Sequence, residues 1–207
     1  MSNESNDICP ADNTSELTAE LERLREEVKR LSELVSTDPL TNLFNYRHFS
    51  HTLDQELERS QRTLQSTTLI MLDVDHFKSV NDQWGHEVGN QALKLIANCI
   101  VQNIRKLDIA CRYGGEEFAI ILPSSEMAAS VHVAERIRSA IESTPLDIPL
   151  AGGNSEQLAL TASAGLSVYS GNNIISSQQL IEAADEKLYQ AKAQGRNRIC
   201  FSPPEPL

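Results

Sequence analysis

From residue 17 the chain places Leu17, Leu21, Leu24, Val28, Leu31 and Val35 at alternating steps of four and three, with Glu, Arg and Lys filling most positions between. That is an a/d heptad seam. Ser15 stands where a hydroxyl can cap the first turn. Such a stripe suits either a single amphipathic helix lying on its own domain or a short parallel coiled coil. The stripe is narrow and the helix is charged around the rest of its circumference, whereas a helix packed on a globular core shows a wider apolar face. The expectation is therefore a dimerisation helix over 15–37. A polar stretch with Pro10 and no periodicity, residues 1–14, precedes it and reads as a disordered tail.

Beyond the helix the period changes repeatedly. STDPLTNL (36–43) breaks the helix at Asp38-Pro39 and reads as a linker. A helix is predicted from about Asn45 to Arg62, and the apolar run TTLIMLDVD (67–75) reads as a strand. Two helical pieces follow, near 77–84 and 88–105, and then DIACRYGGEEFAIILP (108–123) reads as two strands around a Gly-Gly turn. Residues 125–142 read as helix and PLDIPLAGGNSEQ as turns with a short strand. LALTASAGLSVYS (158–170) alternates like a strand, a helix over 177–193 ends before Gly195, and NRICF closes the domain ahead of a Pro-rich tail at 202–207. No internal repeat is visible. The order predicts an α+β fold, a mixed or antiparallel sheet wrapped by helices, in one main domain over 38–201.

Charge narrows the partners. A formal net charge of −11 argues against duplex nucleic acid, whose binders carry a basic face. It leaves room for a nucleotide held by a local basic cluster or a metal. The four cysteines, Cys9, Cys99, Cys111 and Cys200, match no metal-ligand spacing, and three of them sit in apolar segments as buried free thiols would. The apolar runs are too short to span a membrane, and the opening residues lack the layout of a signal peptide. A reduced, cytoplasmic, soluble protein is expected.

Two stretches carry chemistry. In LDVDHFK, Asp73 and Asp75 end an apolar strand two residues apart and so share a face. Asp75 can cap the following helix, but Asp73 needs another partner, because a carboxylate at the end of a buried strand is costly unpaired. In RYGGEEF, the glycine pair lets the backbone turn tightly and approach a ligand, and leaves Glu116 and Glu117 just past the turn on opposite faces. If the hairpin lies beside 67–75, one glutamate comes near Asp73. Converging carboxylates of that kind suit Mg²⁺ held together with phosphate oxygens, and two such ions can clamp a phosphoryl transfer.

RYGGEEF resembles the signature of the GGDEF family, the diguanylate cyclases, in its GGEEF variant. The likeness runs through DPLTNLFNYRHF, LDVDHFKSVNDQWGHEVGN, TASAGLSVY and AADEKLYQAKAQGRNR, in the family's order, over about residues 36–201. It implies a fold like the polymerase palm and the class III nucleotidyl cyclases. It also implies an activity: two GTP-loaded protomers face each other, and the 3′-hydroxyl of each GTP attacks the α-phosphate of the other, giving cyclic di-GMP and two pyrophosphates. On that likeness Asp73, the Val74 carbonyl, Glu116 and Glu117 would bind Mg²⁺, or Mn²⁺ in its place. Glu116 would also act as general base and Lys78 would stabilise the transition state. Lys192 and Arg196 would hold the β- and γ-phosphates, though cations also favour a helix C-terminus. Asn81 and His86 would line the guanine and ribose pocket.

Asn90 stands where the family usually has Asp, and it offers one acceptor oxygen and an NH₂ in place of two acceptors, so discrimination against adenine should weaken. Asn42 replaces a usual Gly, and Asn tolerates the left-handed backbone that Gly would supply there. Arg105 and Asp108, in RKLD, match the family's RxxD product-inhibition site, and Arg136 matches a second arginine that grips the product. Taken alone, Arg105 and Asp108 could be a surface ion pair. No sensor domain is visible in the sequence, so a separate activating protein or a change of coil register is expected to tune activity. Two other readings stand beside the cyclase: a silent cyclic di-GMP receptor, and a cyclase making a mixed GMP–AMP product.

Overall fold

The computed structural model describes residues 17–26, 36–149, 155–172 and 174–202. The chain falls into two units, 1–36 and 37–207. In the first, α1 covers 17–26, and Leu17, Leu21 and Leu24 are 62%, 53% and 53% exposed. Ser15 with its cap, Val28, Leu31, Val35, Cys9 and the tails at 1–14 and 203–207 lie outside the described residues.

In the second unit the elements run β1 (Phe44–Asn45), α2 (Tyr46–Thr63), β2 (Thr67–Val74), α3 (Phe77–Gln102), β3 (Ile109–Arg112), β4 (Glu117–Leu122), α4 (Met127–Glu142), β5 (Leu146–Pro149), β6 (Ser155–Leu158), β7 (Ala162–Tyr169), α5 (Ser177–Ala193) and β8 (Ile199–Phe201). The main sheet is mixed, ordered β1-β3-β4-β2-β7-β8, with parallel pairs at both edges and antiparallel pairs between. β5 and β6 form a separate hairpin.

Helices cover both faces. Ile70, Leu72 and Val74 pack with α3 and α4, while Leu69 and Met71 pack with α2 and α5. Every residue of β2 is therefore buried, which explains a continuous apolar run in place of alternation. The same burial corrects the alternating reading of 158–170: β7 is buried on both faces up to Ser167, and Leu158 belongs to β6.

Two further readings are revised, the linker at 36–43 and the burial of Cys200. Residues 36–43 are no linker: Thr37 bridges Phe44, Asp38 accepts from the Thr41 N–H (2.8 Å) and hydroxyl (2.7 Å), and Leu43 is core. The expected two helical pieces, near 77–84 and 88–105, are both present in α3 and meet at Gly85, whose φ of 82° and ψ of 164° are non-helical. Cys99 and Cys111 are buried free thiols, whereas Cys200 is half-exposed. Asn42 adopts the left-handed backbone expected of it (φ 59°). Among the described residues no helix is long and apolar enough to cross a membrane.

Candidate active site

The register of β2 against β4 places Asp73 directly opposite Glu117, and the Val74 N–H donates to the Glu116 carbonyl at 3.3 Å. The strand end and the hairpin thus meet as their sequences suggested. Asp73 lies on the α2/α5 face, the face of Leu69 and Met71, and there it receives Lys192 Nζ at 2.9 Å from the last turn of α5. Burial pushes the Asp73 carboxyl above the usual range, the Lys192 hydrogen bond and charge oppose this, and the charges of Glu116 and Asp75 add to it. Glu117 is raised by burial and then by Asp73 and Asp185. Asp185, seven residues before Lys192 on α5, is raised by partial burial against the pull of Lys192. Sequence reasoning missed it, although a spacing of seven on one helix face signals a shared orientation.

Arg112 and Asp38 hold the hairpin. The Arg112 guanidinium donates to the Gly115 carbonyl from Nε (3.1 Å) and Nη2 (2.8 Å), and Nη1 pairs with Asp38 at 3.2 Å. The glycines serve differently from one another. Neither Gly114 nor Gly115 has a positive φ. A Cβ on Gly114 would stand 2.7 Å from Glu117 Oε2, so that glycine makes room for a carboxylate; a Cβ on Gly115 would meet nothing within 4 Å. The glycine facing open space is the one that can admit a ligand.

Asp75 is not the helix cap. His76 occupies that position in a left-handed conformation with no side-chain cap. Buried Asp75 instead accepts from Thr161 Oγ1 (2.8 Å), Ser163 Oγ (2.7 Å) and the Asn197 N–H (3.0 Å).

Across the Gly85 kink, half-buried Asn81 turns its carboxamide onto Gly89, next to half-buried Asn90, and Phe77 would stand 3.3 Å from a Cβ there. The structure thus brings Asn81 and Asn90 to one place. Lys78 and His86 are exposed on the same helix. Among the described residues, Arg196 has no carboxylate partner.

At the far end of α3, the Arg105 N–H donates to Asp108 Oδ2 (2.7 Å) and the Asp108 N–H to the Arg105 carbonyl (3.0 Å), which closes RKLD into a turn. Arg136 donates to the Asn103 carbonyl. Burial raises the Asp108 carboxyl, while the Arg105 N–H and the charges of Arg105 and Arg136 oppose it, so all three residues lie in one electrostatic neighbourhood. A cavity of about 300 Å³ adjoins Arg105 and Asp108, lined also by Leu43, Phe44, Val101 and Ile104 among others.

Among the described residues no three His, Cys, Asp or Glu side chains converge as ready-made metal ligands. The donor set nevertheless fits a hard cation. Asp73, Glu117 and Asp185 all feel the Lys192 charge, Glu116 adds its own charge to Asp73 and Glu117, and the Val74 main chain lies against Glu116, so the residues offer oxygen ligands and negative charge in one region.

Residues 35–198 match the family described as "Diguanylate cyclase, GGDEF domain". The chain belongs to that GGDEF family. Among GGDEF proteins, it is 36% identical over 176 residues to the response regulator PleD of Caulobacter vibrioides, covering 85% of this chain and 38% of PleD. The chain thus spans well under half the length of that curated relative. Its fold superposes on the coiled coil and GGDEF domain of DgcB from Caulobacter crescentus, a structure in complex with c-di-GMP, with a TM-score of 0.76, 34% identity and coverage of 93% and 98%. Diguanylate cyclase SiaD from Pseudomonas aeruginosa, solved with its activator SiaC, gives a TM-score of 0.75 at 34% identity and coverage of 93% and 72%.

Proposed function

We propose that this chain is a diguanylate cyclase. It condenses two GTP into cyclic di-GMP with release of two pyrophosphates, each protomer of a dimer presenting one GTP to the other. The observation that carries this reading is the meeting of three distant segments at one sheet end: Asp73 on β2, the Glu116–Glu117 hairpin, and Lys192 on α5 within 2.9 Å of Asp73.

The residues divide the work. Glu116 accepts the proton of the 3′-hydroxyl as its oxygen bonds to the partner's α-phosphorus and pyrophosphate departs. Lys78, exposed at the start of α3, reaches charge that develops on the phosphate. Lys192 and Arg196 hold the β- and γ-phosphates. Asn81 and Asn90 face the guanine, with His86 beside them. Asp73, the Val74 carbonyl, Glu116 and Glu117 would hold Mg²⁺ or Mn²⁺, and that ion supplies neutralising charge and a more acidic hydroxyl. Arg105, Asp108 and Arg136 bind the product and inhibit. The exposed Leu17, Leu21 and Leu24 stripe joins two chains through α1, and a separate activating protein, as SiaC is for SiaD, tunes their geometry.

Proton linkage gives a test of the metal site. Because burial raises Asp73 and Glu117 in the folded state, the stability they contribute is complete below their unfolded pKa values and is lost as pH rises through the folded ones. A bound cation reverses this penalty. The rise in Tm caused by Mg²⁺ is therefore larger at pH 7.5 than at pH 5, measured by calorimetry in paired buffers, and Asp73→Ala abolishes the difference.

Asn90 favours a relaxed choice of base. With equal GTP and ATP, cyclic di-GMP is the main product and cyclic GMP-AMP a minor one. Asn90→Asp restores an acceptor pair and raises the preference for GTP about tenfold or more, the worth of one buried hydrogen bond. Product masses decide this, and cyclic di-GMP alone from the parent enzyme would remove the relaxed reading.

A further inference from the structure

The loop that carries Arg196 is strained. Gly195, Arg196 and Asn197 follow one another with φ of 114°, 63° and 45°, and two of them are not glycine. Consecutive non-glycine residues persist in the left-handed region only where their surroundings over-determine it. Here they do. The Arg196 N–H donates to the Ala191 carbonyl at 3.0 Å and folds the chain back on the end of α5. Asn197 is gripped at three atoms: its main-chain N–H donates to Asp75 Oδ2 (3.0 Å), its Oδ1 accepts from Arg138 Nη1 (2.7 Å), and its Nδ2 donates to Glu142 Oε1 (2.7 Å). Arg198 Nε then donates to the Arg196 carbonyl at 3.1 Å.

Of these contacts, the one with Asp75 joins the loop to the site. Asp75 lies two residues beyond Asp73 on the same chain segment and is buried. Its carboxylate takes three donors, the two hydroxyls of Thr161 and Ser163 and the Asn197 N–H. Its own N–H donates to the Thr161 carbonyl at 2.9 Å. The end of β2, the start of β7 and the loop after α5 are thereby fastened at one carboxylate.

We propose that Asp75 is a positioning residue. By holding the Asn197 N–H it fixes the left-handed loop, and so sets Arg196, with Lys192 one turn before it, at a constant distance from Asp73 and Glu116. The inference rests on the reading in which Arg196 holds the β- and γ-phosphates. It adds that phosphate grip and carboxylate site are one rigid unit, with Asp75 as the joint. An amide can replace the carboxylate here, because the Ser163 hydroxyl can turn to accept from an NH₂ while the remaining oxygen still accepts from Asn197. An alanine cannot.

The test compares binding of 3′-deoxy-GTP, which lacks the attacking hydroxyl, with binding of GMP by calorimetry in Mg²⁺. Asp75→Ala weakens 3′-deoxy-GTP about tenfold and leaves GMP within twofold, while Asp75→Asn restores triphosphate affinity. Thr161→Val lowers Tm without changing the ratio of the two affinities, which separates positioning from general support. In an Arg196→Ala background, Asp75→Ala adds less than twofold. Should Asp75→Ala fail to fold, Asp75→Ser serves in its place, its shorter side chain unable to hold the Asn197 N–H, and weakens 3′-deoxy-GTP three- to fivefold with GMP unchanged. If Arg196→Ala weakens the triphosphate but neither Asp75→Ala nor its substitute does, or if both nucleotides weaken equally, the proposal is overturned. If Arg196→Ala itself leaves the ratio unchanged, the phosphate-grip reading beneath it fails.

Discussion

Glu116→Ala lowers cyclic dinucleotide production by at least about 10³-fold at saturating GTP, the combined scale of a lost proton acceptor and a lost oxygen ligand. The loss is chemical and not structural. Glu116 is half-buried, its main-chain carbonyl already satisfies the Val74 N–H, and no described hydrogen bond uses its carboxylate. The variant therefore unfolds close to the parent temperature and still binds cyclic di-GMP through Arg105. The isosteric Glu116→Gln behaves alike, because an amide keeps the shape but can neither take the proton nor supply the charge. Quantifying product by mass, beside a melting curve, checks both halves. Activity within tenfold of the parent would remove Glu116 from the chemistry.

Replacing Gly165 with valine has the largest expected effect on stability. α5 lies directly on β7 at this residue: a Cβ would collide with the Ala184 carbonyl oxygen and the Leu188 amide nitrogen and stand 2.8 Å from the Lys187 carbonyl carbon. These are main-chain atoms of a helix, which cannot swing aside as a side-chain tip can. The cost is about 3 kcal/mol or more, at the upper end for overpacking, or roughly 6–12 °C in Tm for a chain of this size. Activity falls further than stability does, since α5 carries Lys192 and leads into the Arg196 loop. Gly115→Ala is the matched control: its Cβ meets nothing within 4 Å, and it melts as the parent does.

What could be read from the sequence was set by how local each interaction is. The break between the helical pieces near 77–84 and 88–105, the left-handed Asn42 and the meeting of Asp73 with the hairpin follow from periodicity, backbone preference and strand register, and all were legible. Asp75 was misread as a cap because its sequence neighbours offer that explanation first. Its true donors lie 86, 88 and 122 residues away, just before β7, on β7 and past α5. Residues 36–43 read as a linker because Pro39 and the polar residues around it mark a turn. Nothing nearby reveals that Asp38 reaches Arg112, 74 residues on, and through it the Gly115 carbonyl. The Gly-Gly pair was read as letting the backbone approach a ligand, yet Gly114 first makes room for Glu117.

The most direct test incubates the purified chain with GTP and Mg²⁺ and measures cyclic di-GMP and pyrophosphate together over a range of protein concentrations. The account predicts two pyrophosphates per cyclic di-GMP, and a specific activity that rises with concentration as two half-sites assemble. Absence of product at every concentration, in a protein that binds cyclic di-GMP through Arg105, would contradict it and leave a receptor in place of an enzyme.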